Sequence, residues 1–100
     1  MIIYLIGAIS NDDDYKYTFQ RAEDTVRKMY PCADVINPAK RADYLPEDEY
    51  KLQSLQAVRA CDMVVKTWTF ERSEGAKWEL AAAMLWGKEV GSLTEVKGME

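Results

Sequence analysis

Runs of continuous apolar residues alternate with stretches of helical period along this chain. Residues 2–6 (IIYLI) are apolar throughout and end at Gly7, which predicts a short strand covered on both faces. The polar stretch Asn11-Asp12-Asp13-Asp14 supplies turn and capping material. From about residue 17 to 29, Phe19, Ala22, Val26 and Met29 recur at intervals of three and four, as on an amphipathic helix that Tyr30-Pro31 then closes. Residues 33–36 read as a second strand stopped by Asn37-Pro38, and residues 39–46 as a loop. Residues 47–60 open with acids that suit a helix dipole and offer Leu52, Leu55 and Val58 as an inward face. Residues 62–68 (DMVVKTW) predict a third strand, a helix starts near Ser73 and runs to Gly87, residues 88–93 form a last strand, and residues 94–100 a frayed tail.

Strands alternating with helices predict parallel pairing. The expected fold is one α/β domain over residues 1–100, a small doubly wound, flavodoxin- or Rossmann-like three-layer sandwich with a four- to five-stranded parallel sheet. Ligands of such sheets bind beyond the carboxyl ends of the strands, where strand order reverses. With the first and third strands as neighbours, the loop Gly7-Ala8-Ile9-Ser10 meets the loop at residues 69–73 at that point. Gly7 then either lets the backbone approach a ligand or simply ends a strand.

The last helix holds the residue most out of keeping with its surroundings. Glu79 has Gly75, Ala76, Ala82 and Ala83 at i±3 and i±4, so no cation on its own face pairs with it. It is either a reactive carboxylate in a groove of small residues or a solvated helix glutamate. Ser73 is a good N-cap, and Glu74 adds a favourable charge in the first turn. The same helix start, with Gly75, could instead hold a phosphate on its amides. Glu79 follows Ser73 by six residues, or about 9 Å along the axis, the separation between a 5′-phosphate and an anomeric carbon. Trp68, ending the third strand, is placed to line a pocket. Trp78 and Trp86 read as packing or subunit contacts. This helix is apolar on most sides, which predicts a homodimer burying the face turned away from the sheet.

Composition narrows the chemistry. A net charge of −4 argues against binding a nucleic-acid backbone. No apolar run approaches the roughly 20 residues of a membrane span, and MIIYLIG lacks the basic start of a signal peptide. Two distant cysteines, Cys32 and Cys61, suggest reduced thiols and a cytoplasmic protein. Without histidine, a structural zinc site is not expected, and any general acid or base must be another side chain or the substrate. The acidic runs at residues 12–14 and 47–49 lack the spacing of a calcium loop.

YLIGAIS, VINPA, CDMVV and W-x-x-x-x-S-x-G-A-x-x-E, in this order, resemble the nucleoside 2-deoxyribosyltransferase superfamily, in particular its small bacterial and phage members. The resemblance runs from Met1 to about Val90. It implies cleavage of an N-glycosidic bond, by hydrolysis or transfer and without a cofactor, through a helix glutamate that attacks C1′ of the sugar. By position that residue is Glu79, with Tyr4 orienting it. Ser73, Gly75 and Glu79 match the Ser-x-Gly-x-x-x-Glu of members that hydrolyse deoxynucleoside 5′-monophosphates, so the resemblance favours a nucleotide over a nucleoside. Gly7, Ala8, Ser10, Asn37 and Trp68 complete the expected substrate site. Two departures stand out: Ser10 where those hydrolases carry an arginine, and Ser54 where relatives carry an acid associated with protonating the leaving base. They leave a nucleotide-binding or sequestering module as the alternative, and a structural dimer with a vestigial site as a third.

Overall fold

A computed structural model describes residues 1–10 and 12–93; Asn11 and the tail expected at residues 94–100 lie outside them. Four strands, β1 (Ile2–Ile6), β2 (Asp34–Ile36), β3 (Met63–Lys66) and β4 (Glu89–Ser92), form an entirely parallel sheet in the order β2-β1-β3-β4. Three helices connect them: α1 (Tyr15–Met29), α2 (Glu47–Ala60) and α3 (Glu74–Leu85). The expected α/β class and parallel sheet are therefore present, with four strands among the described residues.

Side chains of a strand point alternately to its two faces, and this alternation divides the core. Ile3 and Leu5 of β1, with Met63 and Val65 of β3, pack against Phe19, Ala22 and Val26 of α1. Tyr4 and Ile6, with Val64, face the other way, toward Val58 of α2 and Ala76 and Ala83 of α3. Tyr4 thus reaches the α2–α3 side because it holds an even position in a strand whose odd positions serve α1.

Two elements depart from expectation. The face α2 turns inward carries Ser54 and Val58, while Leu52 and Leu55 are exposed; the i, i+4 pair runs down a line that the apolar pattern alone does not favour. β3 ends at Lys66 instead of continuing to Trp68. Thr67 and Thr69 are buried beyond it, their hydroxyls 3.3 Å apart. With the strand over, alternation no longer governs position 68, and Trp68 turns to the α1 side, where Arg21 lies 5.0 Å over its ring.

Those threonines also lock the first loop. The Ala8 amide donates to Thr69 Oγ1 at 3.1 Å, and a Cβ on Gly7 would overlap the Thr67 hydroxyl. Gly7 is therefore required by a close approach of two loops, beyond merely ending a strand.

Candidate active site

The loops after β1 and β2, the segment just before α3, and helices α2 and α3 line a groove of about 1050 Å³. Its wall includes Gly7 and Ser10 of the first loop, Tyr50 and Ser54 of α2, and Ser73, Gly75 and Glu79 of α3. Small residues make this possible: α3 buries Ala76 and Ala83 against the rest of the fold, so the helix lies low and Glu79 sits in a channel instead of projecting from a ridge.

Ser73 caps α3, its Oγ accepting from the Ala76 amide at 3.0 Å. The first-turn amides of a helix have no intrahelical acceptor, which makes this end of the groove electropositive. Arg72 lines the groove beside it and lies 3.7 Å from an Asp12 carboxylate oxygen. The cation near the helix start thus comes from the segment preceding α3, while Ser10 brings none from the first loop.

At the inner end, Glu79 is half-buried and its carboxyl group is enclosed by protein. Burial pushes this carboxyl up to about 7, against the opposing effects of a hydrogen bond from Tyr4 and the nearby Arg41 guanidinium. Tyr4 is fully buried, and its phenol is pushed well above the usual range by burial first and then by the Glu79 charge, so it remains a donor at any ordinary pH. Tyr50 is pushed up to about 12 for the same two reasons in the same order.

Arg41 was not among the residues expected from the sequence. One of its terminal nitrogens, Nη2, donates to Tyr4 Oη at 3.2 Å and to Ser54 Oγ at 3.1 Å. Its guanidinium lies 5.9 Å from the Tyr4 ring centre and 5.2 Å from that of Tyr50. Ser54, in the position where an acid was looked for, is buried and bonded to this arginine. A basic residue in the loop after β2, at the carboxyl edge of the sheet, was the available signal.

Three expected substrate residues lie elsewhere. The Ala8 amide is already committed to Thr69. Trp68 belongs to the α1 side, as described above. Asn37 is buried, donating from Nδ2 to Glu23 Oε1 at 3.1 Å and accepting from the Ala39 amide at 3.0 Å; it caps the short 3-10 turn Pro38–Lys40. Glu23 of α1 also accepts from Arg27 Nε at 2.9 Å and pairs with Lys40 Nζ at 3.3 Å. Burial would push its carboxyl up, but these hydrogen bonds outweigh it and hold Glu23 below the usual carboxylate range. The Glu23–Asn37 pair fixes the loop from which Arg41 projects.

The all-parallel four-stranded sheet and its helices have a nucleoside deoxyribosyltransferase-like fold. Among solved structures, a 2-desoxiribosyltransferase from Leishmania mexicana superposes with a TM-score of 0.69 at 17% identity, covering 91% of this chain. The chain spans 62% of that protein's length. Residues 1–92 match the model of a domain of unknown function, DUF4406, and the chain belongs to that family. No curated protein matches it.

Proposed function

We propose that the groove binds a (deoxy)nucleoside 5′-monophosphate and cleaves its N-glycosidic bond, with Glu79 as nucleophile. The observation that carries this reading is the enclosed Glu79 carboxyl, with no cation on its own helix face and a hydrogen bond from Tyr4. Its carboxylate attacks C1′, the C–N bonding pair leaves with the base, and water or a second base later displaces the sugar from the enzyme. Ser73, Gly75 and the Glu74 and Gly75 amides of α3 take the phosphate about 9 Å away, the Ala76 amide being held by Ser73, and Arg72, Gly7 and Ser10 line the same groove. The likeness to a deoxyribosyltransferase fold supports the same reading.

The test is base release from a panel of nucleoside monophosphates and nucleosides by the wild type and by Glu79→Ala. The monophosphates are expected to be the better substrates and the variant inactive; equal activity of the two proteins would refute Glu79 as nucleophile. The buried Ser54, standing where an acid was expected, favours a second reading in which the domain binds nucleotides without efficient turnover. Calorimetry showing tight binding with no base release would select it.

The homodimer belongs to this proposal. Trp78 is 75% and Leu85 83% exposed on α3, and both line the groove rim, so a second copy placed there covers apolar surface and narrows the opening. Sedimentation equilibrium is expected to give twice the chain mass, and Leu85→Glu to return it to that of a single chain. We assign the protein to the cytoplasm on its two free thiols; no helix among the described residues is long and apolar enough to cross a membrane.

A further inference from the structure

We propose that Arg41 is a positioning residue: by donating to Tyr4 and Ser54 it holds the Tyr4 oxygen as an acceptor, leaves the Tyr4 hydrogen for Glu79, and so orients the carboxylate at the inner end of the groove. The inference deepens the reading of Glu79 as the reactive group and rests on it for its functional meaning. Its geometric content is the pair of bonds from Arg41 to Tyr4 and Ser54.

A guanidinium donates and never accepts, whereas a phenol has one hydrogen to give. The contact between Arg41 Nη2 and Tyr4 Oη at 3.2 Å therefore uses the phenol oxygen as acceptor. Ser54 Oγ accepts from the same Arg41 nitrogen at 3.1 Å, which holds the guanidinium against Tyr4. With its oxygen accepting from Arg41, the Tyr4 hydrogen is available to the Glu79 carboxylate, a bond that opposes the upward effect of burial on that group. A donor polarised in this way by a cation gives a stronger bond to a carboxylate than an isolated phenol does.

The guanidinium is itself held in place. It lies over the rings of Tyr4 and Tyr50, and its loop is tied down by the Glu23 contacts to Asn37 and Lys40. Stability alone does not account for the arrangement, because Arg41 Nε is buried with no hydrogen-bond partner among the described residues and such a group opposes folding. The ionisable groups around the Glu79 carboxyl come from three elements: Tyr4 of β1, Tyr50 of α2 and Arg41 of the loop after β2. On α3 its neighbours at i±3 and i±4 are Gly75, Ala76, Ala82 and Ala83, none of which titrates. Farther out along α2, Lys51 and Glu47 pair with each other at 3.2 Å.

The experiment is a carbon-13 titration of the Glu79 carboxyl by NMR in the wild type, Arg41→Met and Ser54→Ala, which needs no substrate. Arg41→Met is expected to move the Glu79 midpoint upward by about one pH unit or more, as loss of a close cation does. Ser54→Ala, the milder change, is expected to move it less and in the same direction. Where Arg41→Met fails to fold, Ser54→Ala alone decides. Midpoints that stay at the wild-type value in every variant that folds would overturn the proposal. Where base release is observed, the acid limb of its pH profile should follow the midpoint from protein to protein; a limb that stays put while the midpoint moves also overturns it. If no nucleotide is turned over, the proposed function fails and the titration still decides the role of Arg41.

Discussion

Glu79→Gln is expected to lower base release by at least about 10³-fold while making the protein more stable above neutral pH. The loss follows because an amide cannot take up C1′ as a carboxylate does, and removing a nucleophile carries effects of this size or larger. The gain follows from the raised ionisation of Glu79. Its carboxyl ionises near 4.5 in the unfolded chain and near 7 in the fold. Between those values the native state keeps a proton that the unfolded state has released, so stability falls as pH rises through the window and stays reduced above it. The difference corresponds to about 3 kcal/mol. Glutamine carries no charge to desolvate and still accepts from Tyr4. At pH 8 its melting temperature should exceed that of the wild type by several degrees, and at pH 4 the two should coincide. Thermal scans across pH check this, and equal curves at pH 8 would show that Glu79 is not held in a desolvated site. For the wild type, base release should rise about tenfold per pH unit below 7 and level off above it, because the nucleophile must be ionised.

Glu23→Ala is expected to destabilise the fold by about 2–4 kcal/mol, the range for removing one partner from a buried network that includes a charge. The substitution strands the Asn37 side-chain amide, which donates to Glu23 at 3.1 Å, and leaves Arg27 and Lys40 without their shared carboxylate. Because Glu23 is held below its ordinary range, its contribution is complete above the unfolded value of 4.5 and is lost as pH falls through the lower folded one. Urea unfolding should therefore separate variant and wild type widely at pH 7 and less in strong acid. A local effect should accompany the global one: the Ala39 amide, which donates to Asn37 Oδ1, is expected to exchange with solvent faster in the variant. A midpoint unchanged at pH 7 would show that the loop carrying Arg41 is anchored by other means.

The frame of this fold is legible in the sequence because it is set by local pattern. The run IIYLI, ended by a glycine, marks β1, and Ser73 with Glu74 marks the start of α3 within a residue. Glu79 stands out because four small neighbours can be read directly from the chain. Legibility stops where position depends on partners distant in sequence. Trp68 reads as a strand residue facing a pocket, yet β3 ends two residues earlier and the threonine lock turns the indole the other way. Asn37 reads as a substrate contact because it follows a strand at the carboxyl edge, while its amide serves a glutamate of α1. On α2, Leu52 and Leu55 outrank Ser54 on hydropathy, but Ser54 points inward, where Arg41 gives it a partner. Arg41 lies in a loop without periodicity, and only the tertiary fold brings its charge to Tyr4.

The threonine lock and the parallel sheet have a consequence for how the groove comes into being. Arg41 and Tyr4 are 37 positions apart, and Ala8 and Thr69 are 61 apart. Contacts of such range form late and together, since each closes a long loop before it is rewarded. The groove therefore has no local precursor that could assemble ahead of the sheet. During refolding, the titration of Glu79 should take on its native midpoint in the same kinetic phase as the core, which makes one carboxyl group a reporter of the entire folding transition.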